Sequence, residues 1–408
     1  MAIPLILVAS AIAIAIAIAI ATACLYRINL AMKVVPEAAR KASPCRWTRQ
    51  EIRDTYSRVK QSPILFAKHL PPRLDRRYIV VGGSDLNQSL SYMNGALGLV
   101  GGVIVLQLRQ RGQSPDSIRI LDFQQLNRRD MVSTAAGCDF VKTDITSAAS
   151  AAGANVFIAT SSSSVSVVPA NYWIWPWQTE SKNYVQIINE LDFDAPIRAN
   201  DLFFSNYARS KAVAERLVYG NNQHGFRTGV LRPGNGLYGQ KSDPCIDLSL
   251  RTGGVTWMPN VVQNLGSSRN IALAHLQFEA ALAQKKMPLA AGKPLIVTDP
   301  GPPPSHQDIY NALIDLSESP ITLSLPPPST ASRFNVCMHT VIDDSKARRS
   351  IKDGGIAYRG VCTTLDGVCE QVVDRNRYDA GKPEGTNGNS ITDKAAKMAG
   401  LGSVPVAA

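Results

Sequence analysis

The chain has 408 residues, 45% of them hydrophobic and 18% charged. Those proportions exclude a mainly disordered chain, and the length allows one large domain or two modest ones. Forty-three Lys and Arg against 32 Asp and Glu give a net charge of +11, and the stretch from Arg27 to Arg77 alone, with 13 basic and 4 acidic residues, carries +9. A surplus so localised argues against nucleic acid as the partner and ties the charge to whatever lies next to it.

That neighbour is residues 1–26, which hold no charged side chain, with an unbroken Ala-Ile alternation from Ala11 to Ile20. Both residue types are apolar, so the alternation does not define the polar and apolar faces of a strand. About 20 such residues cross a bilayer as a helix, and the basic flank that follows stays cytosolic by the positive-inside rule. Ala21-Thr22-Ala23 resembles a signal-peptide cleavage site, the rival reading, but no basic segment precedes it and the apolar stretch is long. Residues 1–26 are therefore expected to form a transmembrane anchor. Residues 27–77 are expected to form a basic connector beside an anionic leaflet, polar from Asp54 to Leu74.

Tyr78–Val81 is an apolar strand that runs into Gly82-Gly83-Ser84. Leu99–Leu108 has helical periodicity, and Ser117–Phe123 is a second strand, so the chain opens as a βαβ unit. Phe140–Thr143, Val156–Ala159, Thr228–Leu231 and Leu295–Thr298 are predicted strands, and Asn206–Tyr219 a helix. This order predicts a Rossmann-type doubly wound parallel sheet over 78–235, a smaller α/β substrate region over 236–377 and a loose tail over 378–408. Seven cysteines without a CxxC and five histidines without an HExxH support neither a disulfide framework nor a metal site.

Glycines after the first strand fit a phosphate loop in two registers. One is contiguous, Gly95-x-x-Gly98-x-x-Gly101. The other is split, with Gly82 as its first half, Gly98 and Gly101 as its second, and residues 85–97 inserted. The split register is preferred because the better strand precedes Gly82. In either, glycines let the backbone approach a pyrophosphate at a helix N-terminus. Asp122 closes the second strand, 21 residues after Gly101. A carboxylate there accepts from a ribose 2′-hydroxyl and repels a 2′-phosphate, which favours NAD over NADP. Asp144, at the end of the next strand, is placed beside the adenine.

Tyr207 and Lys211 in YARSK lie four residues apart, on one helix face. A nearby ammonium is expected to lower the tyrosine pKa from about 10 and fit the phenolate to take a proton from an alcohol. Upstream, Thr160 is followed by four serines, Ser161 to Ser164, any of which can hold the substrate oxygen. Three of the five tryptophans fall in Tyr172-Trp173-Ile174-Trp175-Pro176-Trp177, read equally as core, as the wall of a flat apolar substrate, or as a membrane-interface contact.

These stretches (RRYIVVGGS with GLVGG, IRILDF, DFVKTDIT, ANVFIATSS, YARSKAVAERL, FRTGVLRPGNGLYG, NIALAHLQFEAAL, KPLIVTDP and GIAYRGVCTTLDGV) resemble the extended short-chain dehydrogenase/reductases from Arg76 to about Val373. Within them the chain resembles the membrane-anchored 3β-hydroxysteroid dehydrogenase/isomerase group of fungal type, including sterol-4α-carboxylate 3-dehydrogenases. The resemblance implies Tyr207 as base, Lys211 as its partner and nicotinamide-ribose ligand, and Ser162 as the catalytic serine. It implies Gly82, Gly98 and Gly101 at the phosphates, Asp122 at the ribose, Asp144 at the adenine and Pro233 beside the nicotinamide. It further implies NAD-dependent oxidation of a secondary alcohol on a sterol or terpenoid, at a membrane of the endoplasmic reticulum, with the catalytic domain cytosolic. The alternatives are another extended-family reaction, such as epimerisation or reduction, and a degenerate NAD-binding relative without turnover. The chain departs from the family in the insertion at 85–97. Only 11 residues, Ile145–Asn155, stand where the family carries a further strand and helix, and an apolar segment between Pro328 and Phe334 is missing. The sheet is therefore expected to lack a central strand.

Overall fold

The structure, a computed structural model, describes residues 2–81, 95–122, 129–142, 155–171, 174–175, 177–178, 182–240, 243, 245–255, 259–321, 323–324 and 338–380. The expected helix at the N-terminus is α1 (Ala2–Lys33), and its stretch Val8–Leu30 is long and apolar enough to cross a bilayer. After α2 (Glu37–Ala42), residues expected to be a polar connector instead form α3 (Arg49–Gln61). Thr48 and Glu51 close a capping box at its start. Ile52, Tyr56 and Val59 lie on one face and pack into a core cluster with Leu313, Leu316 and Val372.

The chain continues as β1 (Tyr78–Val81), α4 (Gly95–Gln110), β2 (Ile118–Asp122), α5 (Arg129–Val132), β3 (Asp139–Lys142) and β4 (Val156–Thr160). Then come β5 (Val185–Ile188), α6 (Asn206–Gly220), β6 (Arg227–Pro233), β7 (Leu237–Tyr238), α7 (Ile246–Thr252), β8 (Gly254–Val255) and β9 (Gly266–Ser267). The chain closes with α8 (Ser268–Leu282), β10 (Pro294–Val297), α9 (His306–Leu316), β11 (Leu323–Ser324), β12 (His339–Ile342), α10 (Ser345–Arg348) and α11 (Thr364–Ala380).

The fold is a Rossmann-type α/β fold with every described strand pair parallel, but its main sheet lies in two parts. One has the order β1-β2-β3 and the other β10-β6-β4. Registers such as Val81↔Leu121 and Thr160↔Leu231 align the carboxyl ends within each part. No strand joins β1 to β4 among the described residues. On these two edge strands, Ile79 is 45%, Val81 39% and Phe157 44% exposed, where strands inside a doubly wound sheet are covered on both faces. A small separate pair, β5 with β12, ties residue 185 to residue 339 across most of the C-terminal half.

Helix α8 holds the two parts together. Leu276 packs with Val80, Leu108, Ile118 and Ile120 on the first, while Ile271, Ala274 and Phe278 pack with Leu231, Leu295 and Val297 on the second. At one end of α8, Tyr78 of β1 donates to Glu279 at 2.7 Å, and Arg111 pairs with the same carboxylate at 2.9 Å. One turn earlier the neutral His275 takes a hydrogen bond from Thr160 of β4 at 2.9 Å. Gly229 on β6 permits this packing, because a Cβ there would lie 2.6 Å from the Phe278 ring. Gly229→Ala is expected to cost about 1–3 kcal/mol by overpacking, read from the urea midpoint of the detergent-solubilised chain. An unchanged midpoint would show that α8 does not press on β6 as described.

Candidate active site

Thr160, at the end of β4, is followed by the serine run, and each hydroxyl has its own partner. Ser161 donates to the Glu215 carboxylate at 2.5 Å, Ser163 to Asn235 at 3.1 Å and Ser164 to Ser162 at 2.9 Å. Ser162 also accepts from the Ser164 backbone N–H, at the head of a short 3₁₀ turn. Of the four hydroxyls, that of Ser162 is the one that acts on the Tyr207 phenol, drawing its pKa down. Ser162 is thus distinguished within a run whose residue types leave the choice open.

Tyr207 and Lys211 share one face of α6, which Ser205 caps by accepting from the Ala208 N–H at 3.2 Å. The Lys211 ammonium lies 5.6 Å from the Tyr207 ring centroid and donates to the Thr160 carbonyl at 3.0 Å. The expected lowering of the tyrosine pKa is not found. Burial holds the Tyr207 hydroxyl above the ordinary phenol value, and the Ser162 hydrogen bond only partly offsets it. Burial also lowers Lys211 from its usual value, with Glu215 pulling the other way. Burial and Ser162 are the causes that act on Tyr207, while the ammonium is engaged by the Thr160 carbonyl.

Pro233 ends β6 and is buried, level with Val297 of β10. Asp122 ends β2 and is buried. Gly98 and Gly101 lie inside α4, which already begins at Gly95, so the inserted stretch of the split register ends as helix. Gly82 and Asp144 fall outside the described residues. The arrangement puts the Asp122 carboxylate and the α4 N-terminus on the first sheet part, and Ser162, Lys211 and Pro233 on the second. All are at carboxyl ends of parallel strands, where open α/β sheets bind ligands. The donor set suits a dinucleotide: a carboxylate and an ammonium for two riboses, and the first turn of a helix for phosphates.

Three residues behind this site were not singled out from sequence. Arg232, fully buried on β6, donates to Glu215 of α6 at 2.8 and 2.6 Å, to Asp192 at 2.7 and 3.2 Å, and to Ser166 at 2.9 Å. Glu215 lies four residues beyond Lys211, the spacing that already linked Tyr207 to Lys211. His275 completes a chain from Lys211 to the Thr160 carbonyl, from the Thr160 hydroxyl to His275, and from His275 Nδ1 to Ile271 at 2.8 Å. A separate cavity of about 390 Å³ opens between β10 and β12, lined by Asn264, Thr298, Asp299, Asp344 and Arg348. No member of the hydroxyl constellation lines it, so the chemistry, not this hollow, locates the site.

No family model matches the chain. It is similar to short-chain dehydrogenase/reductase family 42E member 1 of Xenopus laevis, 33% identical over 142 residues. The match covers 32% of this chain and 36% of that protein, so the chain spans about a third of the curated relative's length. Among solved structures it is similar to UDP-glucose 4-epimerase of Stenotrophomonas maltophila, determined with bound NAD and formylated UDP-arabinopyranose. That match has a TM-score of 0.50 and 14% identity, covering 75% of this chain and 99% of that one. MoeE5, solved with UDP-glucuronic acid and NAD, matches with a TM-score of 0.50 and 14% identity over 74% of this chain and 99% of its own. The fold is that of the extended short-chain dehydrogenase/reductases.

Two outcomes test the supports of the site. Arg232→Met strips two carboxylates of their buried cation and is expected to cost about 3–5 kcal/mol in urea unfolding. A loss under about 1 kcal/mol would class the pair with ordinary surface bridges. Burial lowers His275 to about 4, below the 6.5 of an unperturbed histidine. The folded chain then binds fewer protons between those values, so this contribution is complete above pH 6.5 and is lost as the pH falls to 4, roughly 3 kcal/mol in all. The stability gap between the natural chain and His275→Gln should narrow from about pH 7 to about pH 4.5. An equal gap at both would count against a buried neutral imidazole.

Proposed function

We propose that the chain is a membrane-anchored, NAD-dependent dehydrogenase that oxidises a secondary alcohol on a hydrophobic ring system, the 3β-hydroxyl of a sterol or terpenoid. The observation that carries this reading is Tyr207 with Lys211 one turn along the same helix, the Lys211 ammonium bonded to the Thr160 carbonyl just before the serine run, at the carboxyl edge of a parallel sheet. Ser162 positions the substrate oxygen. Tyr207, as phenolate, takes the hydroxyl proton as the carbinol C–H leaves as hydride and the C–O bond becomes a carbonyl. NAD, when bound, supplies the hydride acceptor. Asp122 supports NAD over NADP by charge. The likeness to the family 42E dehydrogenase/reductase supports a dehydrogenase/reductase, and the apolar α1 supports a substrate dissolved in lipid. The anchor is read as single-pass in the endoplasmic reticulum, with the catalytic domain cytosolic beside its basic flank.

The break between β1 and β4 favours a second reading, a chain that binds the dinucleotide without turning over. Purified full-length chain in detergent, given NAD and 3β-hydroxysterols, separates the two through the absorbance of reduced nicotinamide. Tyr207→Phe is expected to lower turnover by roughly 10²–10⁴-fold while NAD binding persists. Because burial raises Tyr207, the oxidation rate should still be climbing near about pH 10. Turnover that survives Tyr207→Phe, or a rate already flat by about pH 8, would remove Tyr207 from this role. NAD binding with no turnover on any secondary alcohol would leave the second reading.

A further inference from the structure

The loop that carries Trp175 and Trp177 lies beside the anchor. Arg27, in the last turns of α1, donates to the Gln178 carbonyl. Asn260 donates to the Lys33 carbonyl at 2.7 Å, which fastens the end of the same helix to the domain. Cys24 is fully buried, and residues 23, 27 and 28 on the same face are partly covered, while Leu25 and Tyr26 are 62% and 66% exposed. One side of the helix end therefore rests on protein and the other faces outward.

The loop is a built feature. Trp175 and Gln178 close a turn through bonds of 2.9 and 3.0 Å, Asn171 bonds Lys182 at 3.0 Å across its base, and Ile174 is buried beneath it. The two indoles stack with centroids 5.2 Å apart and planes within 7°. Yet Trp177 is 73% exposed and Trp175 41%, an arrangement that spends large apolar area facing outward.

Depth decides what they face. Val8–Leu30 is 23 residues, about 35 Å of helix at ~1.5 Å per residue, longer than the ~30 Å hydrocarbon core. Arg27 and its neighbours therefore reach the headgroup layer, the level at which Trp rings partition and Arg snorkels. Lys33, Arg40 and Lys182 are exposed around the same end, so the surroundings match an anionic leaflet. A wall for the substrate would need these rings turned toward Tyr207, and the Gln178 carbonyl is instead held by the anchor.

We propose that the Trp175–Trp177 loop docks into the interfacial layer of the bilayer that α1 spans, giving the domain a second membrane contact that fixes its tilt on the surface. The proposal rests on the reading of α1 as an anchor. The test uses the full chain reconstituted in vesicles of phosphatidylcholine with phosphatidylserine, including lipid brominated near the headgroup end or near the methyl end of its chains. Residues 1–33 contain no tryptophan, so quenching of tryptophan emission reports the domain and not the anchor. Headgroup-end bromine should quench more than methyl-end bromine. Trp175→Phe with Trp177→Phe should cut that quenching roughly twofold or more, and Trp177→Phe alone by a smaller amount in the same direction. Alkaline carbonate extraction separates the two readings. A chain released by carbonate overturns the anchor. A chain that stays with the vesicles but shows no bromine quenching, or quenching unaltered in both variants, overturns the docking and leaves the anchor standing. The latter is also what a protein partner or a substrate wall at this loop would give.

Discussion

Everything at the candidate site hangs on one buried cation. Arg232 has no access to water and is satisfied by two carboxylates and a hydroxyl drawn from three different segments. Desolvating a guanidinium costs several kcal/mol, repaid only when its donors are matched in geometry. That demand sets where its partners sit. Glu215 fixes the roll of α6, hence the direction of Tyr207 and Lys211. Through Ser161 the same carboxylate holds the strand end that presents Ser162. Arg232 itself precedes Pro233. Ser162, Tyr207 and Lys211 are thus referenced to a single side chain that none of them touches.

The second constraint is the divided sheet. Backbone N–H and C=O groups along β1 and β4 lack a strand partner on one side among the described residues, and buried strand edges are normally paired or covered. What keeps the halves in register is α8, with apolar residues on two faces and, one turn apart, a polar bond to each part, Glu279 to Tyr78 and His275 to Thr160. Asp122 and the Ser162 and Tyr207 hydroxyls belong to different halves. Their separation is therefore set by a helix on one face of the sheet, a softer spacer than a hydrogen-bonded strand. Binding and turnover can part company in such a fold, because a ligand held by Asp122 is aligned on Tyr207 only as well as α8 is rigid.

The elements written in local pattern were legible from sequence. β1, β2, β4, β6, β10 and α6 fall within a residue or two of their expected bounds, because apolar runs between turn residues and a helical face are short-range signals. Helix α3 was not: it is rich in Arg, Lys, Asp and Glu, and its stripe of Ile52, Tyr56 and Val59 is narrow. The β5–β12 pair joins segments some 150 residues apart, beyond any local pattern. At the site, the i, i+4 spacing of Tyr207 and Lys211 was visible and Glu215 extends it, but Arg232 becomes a partner only once β6 lies against α6. The direction of the Tyr207 shift was misread for the same reason. Spacing places an ammonium near a phenol, whereas burial and the Thr160 carbonyl, both products of the fold, decide which effect prevails.

The same correction applies to the net charge. The basic stretch after the anchor first reads as a lipid-facing patch. Several of its arginines instead pair with carboxylates of the domain: Arg46 with Asp308 at 2.6 Å, Arg53 with Asp315 at 3.6 Å, and Arg58 with Asp366. Asp308 is 3% exposed and also completes the capping box of α9, so its pair with Arg46 lies where water screens little. Ser43 adds a bond to the Pro303 carbonyl. The segment is accordingly a clamp between anchor and domain, with only part of its charge left for the membrane. If α1 is the proposed anchor, a tether clamped in this way holds the domain close to the bilayer at a restricted set of angles. That restriction would let the exposed indoles near Arg27 meet the headgroups as a defined contact and not as one of many transient ones.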